Sequence, residues 1–198
     1  MTAEHAAPVQ QNAAPQTAPP QDVRVGVIGV GRMGADHVER ITRRIKGARV
    51  SVLSDYLRET AEKVSATAAG SRVVDTWQEV VAAEDVDAVL IASPGEFHRE
   101  QVLACIEAGK PVLCEKPLAM NPSDAYDVVR AEAEAGTPLV SLGFMRRFDV
   151  GYGELKDALE AGELGTPMLL NCKHRNASVL PGFTAVSYTH LTLPTILL

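Results

Sequence analysis

Residues 23–37 read VRVGVIGVGRMGADH, a β-branched run followed by G-x-G-x-x-G at Gly29, Gly31 and Gly34 and then by the start of an apolar-periodic segment. Strand, glycine loop and helix in that order make a turn that cradles phosphates: Gly29 permits the tight bend, Gly31 lets backbone approach a pyrophosphate, and Gly34 lets helix pack closely on strand. The helix N-terminus then faces the anion, and Arg32 and Met33 inside the loop are candidate cofactor contacts. A bare glycine-rich turn is the plain alternative, and the strand-loop-helix context favours the dinucleotide reading over it.

Working outward, short apolar runs alternate with helical segments, which is the pattern of a parallel sheet with crossover helices, an α/β doubly wound architecture. Strands are expected at 23–28, 49–54, 72–74, 87–92, 111–114 and 139–142. Helices are expected at 35–45, 60–69, 76–83, 97–108 and 122–135, with Val38, Ile41 and Ile45 forming the sheet-facing stripe of the first. Gly109 and Gly136 stand where helix C-caps belong.

Asp55 ends the second strand, 21 residues past Gly34, where a carboxylate can accept both hydroxyls of an adenosine ribose. Its charge repels a 2′-phosphate, so NAD is expected in preference to NADP, although Arg58 lies close enough to keep the phosphorylated cofactor in view. Asp55 could also cap the next helix, and both roles can hold together.

The stretch 89–119, VLIASPGEFHREQVLACIEAGKPVLCEKPLA, places Glu115-Lys116-Pro117 at the end of the fifth strand. With the glycine loop, this signature resembles the glucose-fructose oxidoreductase, inositol dehydrogenase and MocA (Gfo/Idh/MocA) family of NAD(P)-dependent oxidoreductases over about residues 22–185. Residues 143–167 and 173–184 are similar to its inositol dehydrogenases. The resemblance implies a Rossmann-type domain over 22–143 and the truncated start of an α+β substrate domain over 144–185. It also implies hydride transfer from a ring carbon of inositol or a related polyol to nicotinamide. Lys116 would be catalytic and also touch substrate and cofactor, stabilising a developing alkoxide; read without the family, an exposed Glu-Lys pair is solvated surface. Ser93, Pro94, His98 and Glu115 would line the cofactor side of the crevice, although a lone His in a first helical turn is more often surface. Met145, Arg146 and His174 would border the polyol. An interdomain ion pair involving Arg146 or Arg147, and a solvated strand-end histidine on a strand at 167–173, are the alternatives for that group. Pro117 shapes a turn that base rates make trans, with cis as the alternative.

The family's catalytic Asp-x-x-x-His segment would fall near 191–195, where Leu191 and Thr195 stand. Residues 186–195, VSYTHLTLPT, look like a reading frame of a sequencing-library adapter, so 186–198 is expected to be a non-native tail and the chain an inactive fragment of an enzyme that assembles as a homo-oligomer. Residues 1–21, rich in Ala, Pro and Gln, are expected to be a disordered tail.

Composition narrows the rivals. Across 198 residues, 25 acidic against 19 basic groups leave a net charge of −6, with no basic stripe for nucleic acid or anionic lipid. No stretch has the length or hydropathy of a membrane span. Cys105, Cys114 and Cys172 form no C-x-x-C pair, so no metal site is expected and a reducing cytoplasm fits. Three other readings stay open. A methyltransferase shares the glycine loop but would not explain Glu115-Lys116-Pro117. The others are a nucleotide-binding or sensing domain without turnover, and another sugar oxidoreductase of the same family.

Overall fold

The computed structural model describes residues 22–169 and 171. Six strands, β1 (Val23–Ile28), β2 (Ala48–Ser54), β3 (Arg72–Val73), β4 (Ala88–Ile91), β5 (Val112–Cys114) and β6 (Val140–Leu142), form one sheet in the order β3-β2-β1-β4-β5-β6. Every neighbouring pair is parallel. This is the doubly wound Rossmann arrangement expected, with the strand order reversing between β1 and β4.

Successive strand residues point to opposite faces, so the continuous apolar runs divide into two cores. Val27, Leu53 and Leu90 pack with Val38 and Ile41 of α1 (Arg32–Arg43) and Ala61 of α2 (Arg58–Ser65). Their sequence neighbours Ile28, Val52, Val89 and Ile91 pack on the other side. There they meet Val80 of α3 (Trp77–Ala82), Val102 and Cys105 of α4 (His98–Glu107) and Val128 of α5 (Pro122–Ala135). Local chemistry sets the helix ends. Thr76 and Glu79 form a capping box on α3, Asn121 accepts the Asp124 N–H ahead of Pro122 on α5, and Gly136 closes α5 in the left-handed region at φ 69°. The Cys105 and Cys114 thiols are pushed up to about 12 by burial, which keeps them protonated and unreactive.

Several boundaries differ from expectation. α1 begins at Arg32, inside the glycine motif, because Gly34 has no side chain to keep the helix off the loop. It ends at Arg43, so Ile45 lies beyond the stripe at 52% exposure, and the buried face is Gly34, Val38 and Ile41. Residues 167–169 and 171 are not in a strand, since no described segment pairs with them. The expected tails at 1–21 and 186–198 lie outside the described residues. A sixth helix, α6 (Val150–Glu160), was not anticipated; Asp149 caps it by accepting the Gly151 N–H at 3.1 Å.

The chain divides into two compact units after Arg146. The first holds the sheet with α1–α5, and the second includes α6. Among the described residues no helix is long and apolar enough to cross a membrane, and no group of three or more His, Cys, Asp or Glu could hold a metal ion.

Candidate functional site: a crevice at the strand-order reversal

Where β1 and β4 part, their outgoing loops come within contact of one another. Gly29 turns at φ +81°, and a Cβ there would lie 2.6 Å from the Ser93 N. Only glycine tolerates both the dihedral and the approach. A Cβ on Gly34 would lie 2.0 Å from the Gly29 carbonyl oxygen, so the missing side chain seats α1 directly on the loop. Gly31 is different: a Cβ there meets nothing within 4 Å. The fold does not need glycine at 31, and the open volume in front of the N-terminus of α1 is where a pyrophosphate would lie. Gly31, Arg32 and Met33 are all exposed along this edge.

Asp55 follows β2 directly. Its Oδ2 accepts the Val30 N–H at 2.8 Å and its Oδ1 the Leu57 N–H at 2.9 Å. The carboxylate therefore braces the glycine loop while each oxygen keeps a further lone pair for a hydroxyl donor. It does not cap α2, whose N-cap is Leu57 with no side-chain cap. Arg58 is held by two carboxylates: its Nε donates to Glu62 Oε1 at 2.9 Å, and its Nη1 donates to Asp75. These bonds, Glu62 foremost, raise the pKa of the exposed guanidinium and hold it toward Glu62 and Asp75.

Lys116 is exposed just past β5, and the Lys116–Pro117 peptide is cis, not the trans default. Its neighbours are anchored. Glu115 N–H donates to Ile91 O at 2.9 Å, and Glu115 Oε1 lies 2.9 Å from His37 Nε2 of α1. Ser93 Oγ donates to Gln101 Oε1 at 2.6 Å, while Pro94 is exposed. His98, expected to line the crevice, is instead 1% exposed, with Nδ1 at 2.6 Å from Pro117 O and Nε2 at 2.8 Å from Ser93 O. Neither ring nitrogen faces the opening, because the two carbonyls occupy both; the side chain supports the crevice from behind.

Gly29, Gly31, Gly34, Asp55, Ser93, Glu115 and Lys116 thus gather at the C-terminal edge of the sheet. Met145 and Arg146 are exposed in the turn after β6, and His174 lies outside the described residues. Sequence reasoning missed His37 and Gln101. Their only signal was position: His37 lies three residues past the last glycine of the loop, and Gln101 one turn beyond His98.

Residues 23–144 match the Gfo/Idh/MocA oxidoreductase family, NAD-binding Rossmann fold. Inositol 2-dehydrogenase of Rhodococcus erythropolis is 54% identical over 163 residues, covering 82% of this chain and 47% of that protein. Inositol 2-dehydrogenase of Mycolicibacterium smegmatis is 54% identical over 162 residues, covering 82% of this chain and 47% of that protein. The solved structure of myo-inositol dehydrogenase from Lactobacillus casei, in complex with NAD(H) and myo-inositol, superposes with a TM-score of 0.72 at 34% identity, covering 74% of this chain and 44% of that one. The chain spans about half the length of the curated relatives it matches.

Proposed function

The chain belongs to the Gfo/Idh/MocA family of oxidoreductases, and from that premise we propose that it is the nucleotide-binding half of an NAD-dependent dehydrogenase acting on inositol or a related polyol. The observation that carries the reading is the open cradle at Gly31, flanked by the Asp55 carboxylate on one side and Lys116 on the other. These residues fit a dinucleotide: backbone N–H groups at the start of α1 for the pyrophosphate, spare Asp55 lone pairs for the ribose diol, and a cation where an alcohol would be oxidised.

NAD, when bound, supplies the hydride acceptor. The protein's share is orientation and charge. Lys116 Nζ donates to the reacting hydroxyl and favours the oxygen as it becomes an alkoxide, an effect larger in the transition state than in the ground state, while the hydroxyl proton passes to a base outside residues 22–146. Ser93 and Glu115 shape the crevice beside it, and Met145 and Arg146, just before the division between the two units, are assigned to the polyol side. The Rhodococcus and Mycolicibacterium relatives, both named inositol 2-dehydrogenase, support a cyclic polyol as the substrate class.

The test is a chimera in which residues 22–146 replace the matching half of the Rhodococcus erythropolis relative. NADH formation with myo-inositol is expected. A folded chimera that binds NADH but oxidises neither inositols nor other ring polyols overturns the substrate assignment.

A further inference from the structure

Two histidines from opposite faces of the sheet converge on the turn that carries Lys116. His37 lies on α1, whose Val38 and Ile41 belong to the core beneath Val27 and Leu53. His98 opens α4, whose Val102 and Cys105 belong to the core beneath Ile28 and Ile91. His37 Nε2 meets Glu115 Oε1 at 2.9 Å, one residue before Lys116, and His98 Nδ1 meets Pro117 O at 2.6 Å, one residue after it. Glu115 is 15% exposed at its side chain and His37 23%, so the first contact is partly shielded from water, and His98 is 1% exposed. Shielded hydrogen bonds hold geometry better than exposed ones, because water competes less for the partners. Lys116 itself stays open to solvent.

We propose that His37 and His98 are positioning residues that clamp the Glu115–Pro117 turn from both faces and so fix where the Lys116 ammonium stands. The proposal rests on the reading of Lys116 as the residue that holds the reacting hydroxyl. A long, flexible lysine stem can stabilise a developing charge effectively only if its backbone is already in place. The clamp also couples the two parts of the crevice. α1 presents its N-terminus to the pyrophosphate cradle and its His37 to Glu115, so one rigid helix sets both. His98 Nε2 also lies 2.8 Å from Ser93 O, so the same ring sits between the loop after β4 and this turn, with the N–H of a neutral imidazole going to one of the two carbonyls at a time. Gln101, one turn further along α4, accepts from Ser93 Oγ at 2.6 Å and holds the same loop.

The test is hydrogen–deuterium exchange on the full 198-residue chain, comparing amides of residues 115–120 with those of β1 and β2. His37→Ala removes the contact to Glu115, whereas His37→Gln keeps a side-chain N–H able to reach it. His98→Gln places an N–H near the Nε2 position and loses the contact to Pro117 O, whereas His98→Asn places an N–H near the Nδ1 position. Exchange over 115–120 is expected to quicken about tenfold or more in His37→Ala and His98→Gln. It should return to within about twofold of the parent in His37→Gln and His98→Asn, with β1 and β2 unchanged throughout. Unchanged exchange over 115–120 in both disruptive variants overturns the clamp. So does quickening shared equally by β1 and β2, which would make the histidines supports of the whole fold. NADH titration of the parent chain is the separate check: absence of binding contradicts the proposed function and leaves the exchange comparison to decide the clamp.

Discussion

The Asp55 carboxylate accepts the Val30 N–H at 2.8 Å, so the acid after β2 and the middle of the glycine loop after β1 are one unit. An acid that only met a ribose would hang free in the absence of cofactor. Here it is oriented beforehand, and binding need not supply the ordering cost.

Asp55→Ser should therefore do two things at once. Losing the charge removes acceptors for the ribose diol and relieves repulsion of a 2′-phosphate, so NADH affinity should fall about tenfold or more while the NADPH:NADH affinity ratio rises. Losing the brace on Val30 should also loosen the loop. Calorimetric titration with both cofactors checks the ratio, and an unchanged ratio would leave Asp55 as a loop brace alone.

Gly34 seats α1 on the glycine loop, so its substitution is expected to show in stability. A methyl group there would sit 2.0 Å from the Gly29 carbonyl oxygen, and a backbone atom cannot swing aside as a side chain can. Gly34→Ala should cost about 1–3 kcal/mol or more, the range for overpacking a tight contact, and lower the melting temperature by several degrees. A melt within a degree of the parent contradicts the contact.

Lys116→Ala should leave the fold untouched, since the side chain is exposed. In the chimera, turnover with myo-inositol should drop by about a hundredfold or more, the size of effect expected for a lost electrostatic stabiliser, with the KM for NAD within about threefold. Turnover near the parent value would remove Lys116 from the chemistry.

Acid stability should depend on Asp87 at the far end of the sheet. Its carboxylate accepts from the Arg24 backbone N–H at 2.8 Å, from Nε at 2.9 Å and from Nη2 at 2.6 Å, and these bonds lower its pKa from the ordinary 3.8 to about 2. A folded-state value below the unfolded one means that the contribution is present above about pH 4 and is lost as pH falls through about 2. Both side chains are partly exposed, so the effect is modest. Asp87→Asn should be less stable than the parent at pH 6, with the gap closing by pH 2 in denaturant titrations. A gap that persists to pH 2 contradicts this assignment.

Much of this architecture was legible because it rests on strong local signals. The run from Val23 to Ile28 is bounded by Asp22 and Gly29, and β1 has those same limits. Pro122 and Gly136 punctuate α5 at both ends. Legibility failed where a residue acts against its propensity for a tertiary reason. Gly34 reads as loop, yet it is helical and buried because the helix must touch Gly29. Gly151 and Gly153 dilute the helical pattern of α6 in its first turn, so the spacing of Tyr152, Leu155 and Leu159 goes unheeded in the sequence. His98 read as a surface or crevice residue because one sequence position carries no trace of two carbonyls brought in from different loops. The His37–Glu115 contact spans 78 residues, and only the sheet topology brings the pair together.

The central claim, a dinucleotide cradle at the reversal of strand order, is tested most directly by titrating NADH into the 198-residue chain and into its Gly31→Val variant. The backbone at Gly31 has φ −63°, which valine accepts, and a Cβ there meets nothing within 4 Å, so the variant should melt like its parent. Its side chain would fill the volume needed by the pyrophosphate. The account predicts NADH binding by the parent and a loss of about a hundredfold or more in an equally stable variant. Equal affinity in the two chains, or no binding by the folded parent, would contradict it.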